Sequence, residues 1–161
     1  MARAFKNVAV AGTFDGFHKG HKALLAKAFE VGDYVLIGLC SDNLIKTMKK
    51  SHATASYTQR LSELKAFLLD VGFLKRAKIV TLNDPFGPAL TSTNIEALVV
   101  SRETEPAAHE INKKRIEAGL FPLEIIVIDL VSSENRLPIS TTRIRRGEID
   151  REGHLLKTRP K

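Results

Sequence analysis

Two histidines three residues apart, His18 and His21, with Gly20 between them, are the residues of this chain best placed to do chemistry. They close the run Gly12-Thr13-Phe14-Asp15-Gly16-Phe17-His18-Lys19-Gly20-His21. An apolar strand-like run, Asn7-Val8-Ala9-Val10-Ala11, precedes it, and the helical repeat Leu24, Leu25, Ala28, Phe29 follows. The histidines therefore stand where a strand turns into a helix. A helix N-terminus offers backbone N–H groups without intrahelical partners and the positive end of the helix dipole, so it attracts phosphate. Gly20 has no side chain and lets the backbone come close to a ligand. His18 and His21 add side-chain donors over the same point. The combination suits nucleotide chemistry at a phosphate rather than metal-assisted hydrolysis. A zinc reading fails because no Asp or Glu follows at a ligand spacing on that helix and no third ligand suggests itself. The plainer alternative is that the two rings only cap the helix.

A second run, Pro138-Ile139-Ser140-Thr141-Thr142-Arg143-Ile144-Arg145, again puts hydroxyls at a helix start, with arginines just beyond. Hydroxyls and backbone N–H groups can grip one phosphate while a guanidinium neutralises the rest. Its plainer alternative is an ordinary capped terminal helix. The two helix starts converge if their strands lie beside the same switch point of one sheet.

Apolar runs and helical periods alternate along the chain. Strands are expected at Asn7–Gly12, Tyr34–Cys40, Lys78–Leu82, Ile95–Val100 and Leu123–Leu130. Helices are expected at Lys19–Val31, Tyr57–Val71 and Ala107–Ala118, the last stopped by Gly119, and a short one from Ser140. Strands apolar on both faces, alternating with helices, define an α/β fold. The expectation is a Rossmann-like, doubly wound parallel sheet of five strands with helices on both faces. Such sheets bind ligands outside the strand C-terminal ends, where the first motif falls.

The 161 residues suit one domain, with a charged tail over 148–161, and the 43% hydrophobic content suits a packed core. No apolar stretch approaches the ~20 residues of a membrane span, and the N-terminus lacks the apolar core of a secretory signal. The chain reads as cytoplasmic and without a membrane partner. Its net charge of +7 fits either nucleic acid or a small substrate carrying several phosphates. Aromatic residues are only 6%, Trp is absent, and no basic stripe alternates with stacking rings, which favours the small substrate over nucleic acid. The lone cysteine, Cys40, excludes an internal disulfide and a cysteine-rich zinc site, and its apolar run makes it a buried thiol rather than a nucleophile. Lys46, Lys49, Lys50 and His52 read as a solvated basic loop or as lysines reaching a phosphate. Arg60 reads as a phosphate contact or an exposed helix residue. Arg102 reads as a strand-end residue facing the site or not, and Arg115 as a surface or ion-pair residue. His109 and His154 read as exposed.

With a strand before it and a helix after it, the first motif resembles the signature of the histidine-glycine-histidine nucleotidyltransferase superfamily, and Ile139–Arg145 resembles its second signature. Within that superfamily, Val99-Val100-Ser101-Arg102-Glu103-Thr104 with Ile111-Asn112-Lys113-Lys114-Arg115 is similar to the pattern of archaeal and eukaryotic-type phosphopantetheine adenylyltransferases. Asn83-Asp84-Pro85-Phe86-Gly87-Pro88-Ala89 and Gly38–Asp42, followed by Lys46 and Lys49, agree with it, so the resemblance spans Val8 to about Glu148. The segment Ser101–Thr104 departs from the bacterial form of that enzyme.

The resemblance implies adenylyl transfer from ATP to 4′-phosphopantetheine, giving dephospho-coenzyme A and pyrophosphate. It implies reversible in-line attack with no covalent enzyme intermediate and Mg²⁺ carried with ATP, with no metal site of the protein's own. It places Thr13, His18 and Lys46 in catalysis, and Thr13, Lys46 and Lys49 at the acceptor. ATP falls to Gly12, Thr13, Phe14, His18, Gly20, His21, Arg102, Ser140, Thr141, Thr142, Arg143 and Arg145. A monomer is expected, with coenzyme A as an inhibitor. The rival readings are a cytidylyltransferase, an FMN or nicotinamide mononucleotide adenylyltransferase, and a basic nucleic-acid-binding domain.

Overall fold

The computed structural model describes residues 4–47 and 54–129. Lys49, Lys50 and His52, the second phosphate motif with Ser140, Thr141, Thr142, Arg143 and Arg145, His154 and the charged tail lie outside them.

Among the described residues the order is β1 (Phe5–Gly12), α1 (Lys19–Val31), β2 (Gly32–Cys40), α2 (Asp42–Thr47), α3 (Tyr57–Asp70), β3 (Ala77–Leu82), β4 (Ala97–Ser101), α4 (Glu105–Glu117) and β5 (Glu124–Ile128). Short 3-10 turns, Leu74–Arg76 and Gly87–Leu90, precede β3 and β4. The strands form one sheet in the order β3-β2-β1-β4-β5, every pair parallel. The expected α/β fold and five-stranded parallel sheet are what the chain adopts. The direction of winding reverses between β1 and β4, where a ligand crevice is expected.

Alternation along β1 separates the two faces. Val8 and Val10 point to a core built from Leu25, Ala28 and Phe29 of α1 and Leu64 and Leu68 of α3. Ala9 points to the other face, packed with Leu98 of β4, Ala108 and Ile111 of α4, and Leu123. Each fully buried leucine or phenylalanine contributes about 1.5–3 kcal/mol over its exposed state. Helices therefore cover both faces. Double-sided burial holds for the inner strands only: Tyr34 is 52% exposed where β2 enters the sheet, and the edge strands β3 and β5 are mostly half-buried.

Arginines satisfy backbone carbonyls at three junctions. Arg76 donates to the carbonyls of Phe29, Gly32 and Asp33, where α1 ends. Arg115 lies in the last turn of α4 and is 3% exposed. It donates to the carbonyls of Ala89, Ser92 and Phe121, so it is neither a surface residue nor an ion-pair residue. Arg60 is the third. No helix among the described residues is long and apolar enough to cross a membrane.

Candidate active site

The turn between β1 and α1 carries the first motif. Phe14 adopts φ 50° and Gly16 φ 60°, the left-handed region, so the chain reverses sharply after Gly12. A left-handed phenylalanine is strained and persists only where its surroundings hold it. Its ring is 1% exposed and packs near Phe17 and His21.

His18 is the N-cap of α1 and is 5% exposed. Its Nδ1 accepts from the backbone N–H of Gly20 at 3.0 Å. The backbone N–H of His18 in turn donates to Nδ1 of His21 at 3.2 Å. The two residues form a capping box built from imidazoles, with the rings stacked 3.7 Å apart. Capping and phosphate chemistry are thus not alternatives. Each Nδ1 uses its lone pair on the backbone, so a neutral ring carries its proton on Nε2, and Nε2–H becomes the donor on the far side. The first turn of α1 contains no acidic residue, which leaves the positive end of its dipole for an anion.

The other expected site residues follow the C-terminal ends of neighbouring strands. Gly12 ends β1 beside Leu39 of β2, and Thr13 is half-buried just beyond it. Lys46 lies exposed in the last turn of α2, which follows β2 directly. Arg102 follows β4, where its Nε donates to Asp129 at 2.6 Å and its side chain is 69% exposed. His109 is also exposed and contacts Glu105. Cys40 is buried at the end of β2, as expected for a structural thiol.

Sequence reasoning missed Arg60. The residue is fully buried, neither exposed nor turned to a phosphate. Its Nε donates to the Ala55 carbonyl at 2.9 Å. Its Nη1 donates to the carbonyls of Thr13 at 2.9 Å and Cys40 at 2.8 Å. Nη2 donates to the Asp42 carboxylate at 2.9 Å. Partial desolvation pulls the Asp42 carboxyl upward. The hydrogen bonds from Arg60 and the Tyr57 N–H, with the charges of Arg60 and Lys46, outweigh it and leave the group below the ordinary aspartate value. Asp15 is 1% exposed and accepts from the Ala55 N–H at 3.0 Å. One readable signal was position: Arg60 shares a stripe with Leu64 and Leu68, four and eight residues on.

An apolar groove of about 260 Å³ opens beside the turn on the sheet face shared with α4. It runs from Gly12 across Gly38 and Leu82 to Phe86, with Ala107 and Ile111 on its α4 side. Gly38 leaves room for the buried Leu82 side chain, which would have to shift to admit a Cβ, 2.7 Å away.

A histidine-capped helix at the reversal of a parallel sheet is an arrangement suited to binding phosphate. The cytidylyltransferase-like family matches residues 9–147, and the chain belongs to that family. A phosphopantetheine adenylyltransferase of Methanothermobacter thermautotrophicus is 46% identical over 98% of this chain and 93% of its own length. One from Pyrococcus horikoshii is 45% identical over 98% and 99%. A crystal structure of a protein of unknown function from Archaeoglobus fulgidus superposes with a TM-score of 0.70 at 32% identity, over 83% of this chain and 99% of that one. Within the wider family, this chain is one of the phosphopantetheine adenylyltransferases.

Proposed function

We propose that the chain transfers the adenylyl group of ATP to 4′-phosphopantetheine, giving dephospho-coenzyme A and pyrophosphate. Full-length likeness to the archaeal relatives supports the substrates, and the imidazole capping box supports the chemistry. An acceptor phosphate oxygen attacks the α-phosphorus of ATP and forms a P–O bond. The bond from the α-phosphorus to the bridging oxygen breaks opposite it, and pyrophosphate leaves with the electron pair. The acceptor is already an anion, so no covalent enzyme intermediate is needed. One phosphoanhydride replaces the bond of another, so the reaction is reversible.

The protein's task is to hold two polyanions in line and stabilise the charge between them. In this reading the Nε2–H of His18 donates to the α-phosphoryl oxygens and His21 holds the ATP phosphates. Thr13 takes the attacking phosphate by its hydroxyl and backbone N–H, and Lys46 or Lys49 neutralises it. Gly12, Phe14 and Gly20 shape the pocket, and Arg102 with the Ser140–Arg145 motif completes the hold on ATP. The carboxylates nearest the turn are already engaged, Asp15 with Ala55 and Asp42 with Arg60. Among the described residues no group of three or more His, Cys, Asp or Glu gathers for a metal. The donors present fit the triphosphate itself. Mg²⁺ arriving with ATP would be held mainly by the phosphates and would screen their charge. The reading is completed by a monomer acting in the cytoplasm.

The groove suits the pantetheine arm, which is mostly uncharged and would leave its phosphate at Gly12 and Thr13. Ala107 lines the groove from the exposed start of α4. Ala107→Trp therefore raises KM for 4′-phosphopantetheine at least about tenfold while KM for ATP holds. Steady-state kinetics with each substrate varied in turn checks this, and an unchanged acceptor KM would move the arm elsewhere.

The decisive experiment is pyrophosphate release with Mg²⁺ across 4′-phosphopantetheine, FMN, nicotinamide mononucleotide and glycerol 3-phosphate, with CTP as alternative donor. Release with ATP and 4′-phosphopantetheine alone is expected. Release with another pair would keep the phosphate chemistry and replace the acceptor.

A further inference from the structure

We infer that Arg60 is a positioning residue for adenylyl transfer, locking the Thr13 turn to the helix that carries Lys46. The inference rests on the adenylyl-transfer reading and adds a residue that touches neither substrate. A buried guanidinium is costly unless its donors are met, and apolar residues of similar volume often serve stability as well or better. Arg60 occupies the stripe of α3 where Leu64 and Leu68 sit, so packing alone would be served by another apolar side chain. What its planar fork adds is simultaneous contact with three separate segments at the C-terminal edge of the sheet. These are Thr13 beyond β1, the β2–α2 junction with Cys40 ending β2 and Asp42 beginning α2, and Ala55 before α3.

The bond to Thr13 acts on the strained point of the turn. It holds the carbonyl of the peptide unit that leads into Phe14, whose φ is 50°. In a trans peptide the carbonyl and the next N–H point in opposite directions, so drawing the Thr13 carbonyl inward turns the Phe14 N–H away from Arg60. The bond to Asp42 acts on the other partner. Lys46 lies four residues after Asp42 on α2, one turn along the same face, so the lysine's place follows from how Arg60 seats that helix. Tyr57 N–H donates to the same Asp42 oxygen at 2.9 Å, and Asp15 holds the N–H of Ala55 whose carbonyl Arg60 holds. The turn and α2 are thus gripped through one guanidinium.

The test is a double-mutant cycle of Asp42→Ala with Lys46→Ala, reading kcat, the KM of each substrate and the thermal melt of each variant. Asp42 is 54% exposed, so alanine there removes the acceptor that ties the guanidinium to α2 without opening the core. Asp42→Ala alone is expected to lower kcat about tenfold with KM for ATP changed by less than about twofold, because a displaced lysine costs positioning rather than binding. In the Lys46→Ala background the same substitution should then cost almost nothing. Asp42→Asn keeps the acceptor oxygen and loses only the charge that Lys46 feels, so it should stay near wild type. Arg60→Lys should retain more kcat per folded molecule than Arg60→Met. Effects that multiply, an unchanged kcat in Asp42→Ala, or an Asp42→Asn variant as slow as Asp42→Ala would overturn the inference. If the arginine variants do not fold, the comparison of Asp42→Ala with Asp42→Asn and the cycle with Lys46→Ala still decide. A wild-type chain that makes no dephospho-coenzyme A would overturn the adenylyl-transfer reading first, and is seen before any variant is made.

Discussion

Replacing His18 by alanine is expected to lower kcat about 10²–10³-fold while KM for ATP moves little, the cost of losing one transition-state donor. The same substitution removes the N-cap of α1, a separate loss of about 1 kcal/mol in stability. Asparagine separates the two. Its side-chain oxygen caps as well as any residue, so His18→Asn keeps the acceptor for the Gly20 N–H and loses the Nε2 donor. The expected result is a melting temperature near wild type for His18→Asn, a lowered one for His18→Ala, and the same deep loss of kcat in both. Pyrophosphate-release kinetics beside thermal melts read this directly. Full activity in His18→Asn would reduce the ring to a cap and move the catalytic donor to His21.

Arg115→Ala is expected to destabilise the fold by about 3 kcal/mol, because it strands buried carbonyls that had a donor. For a chain of this size that lowers the melting temperature by roughly 6–12 °C. Lysine does not rescue it, since one ammonium cannot reproduce the fork that reaches Ala89, Ser92 and Phe121 together. Activity per folded molecule should hold below the melt, because α4 carries this residue to the end of the helix away from the phosphate turn. A wild-type melting temperature would show that water replaces the guanidinium at no cost.

The elements were legible where local signals agreed. α1 runs Lys19–Val31 as expected, because its amphipathic period begins directly after the capping histidine. α3 begins at Tyr57 as expected, with Ser56 accepting from the Gln59 N–H. α2 escaped notice because six residues are too few to show a period. β4 starts at Ala97 rather than Ile95. The carboxylate of Glu96 turns to the N–H groups of Lys6 and Asn7, although Ile95 is still buried. The motif histidines were legible from type and spacing alone. Arg60 and Arg115 were not, although each lies on an apolar stripe, with Leu64 and Leu68 or with Ala108 and Ile111. Each also reaches carbonyls of segments distant in sequence, Thr13 and Cys40 for Arg60 and Ala89 and Ser92 for Arg115, which only the fold brings close. A basic residue in register with a buried stripe is the local sign of such a clamp.

β1 is the middle strand, with β2 on one side and β4 on the other. Amides flanked by ladders on both sides exchange with solvent only when large parts of a domain open together. The phosphate turn is therefore launched from the central strand of the sheet, held by ladders on both sides. Its dipoles are aimed before either substrate arrives, so little reorganisation remains for the moment of reaction. Movement that admits two bulky polyanions and releases their products is then left to elements away from that strand, such as the start of α4, and not to α2, which Arg60 ties to the turn.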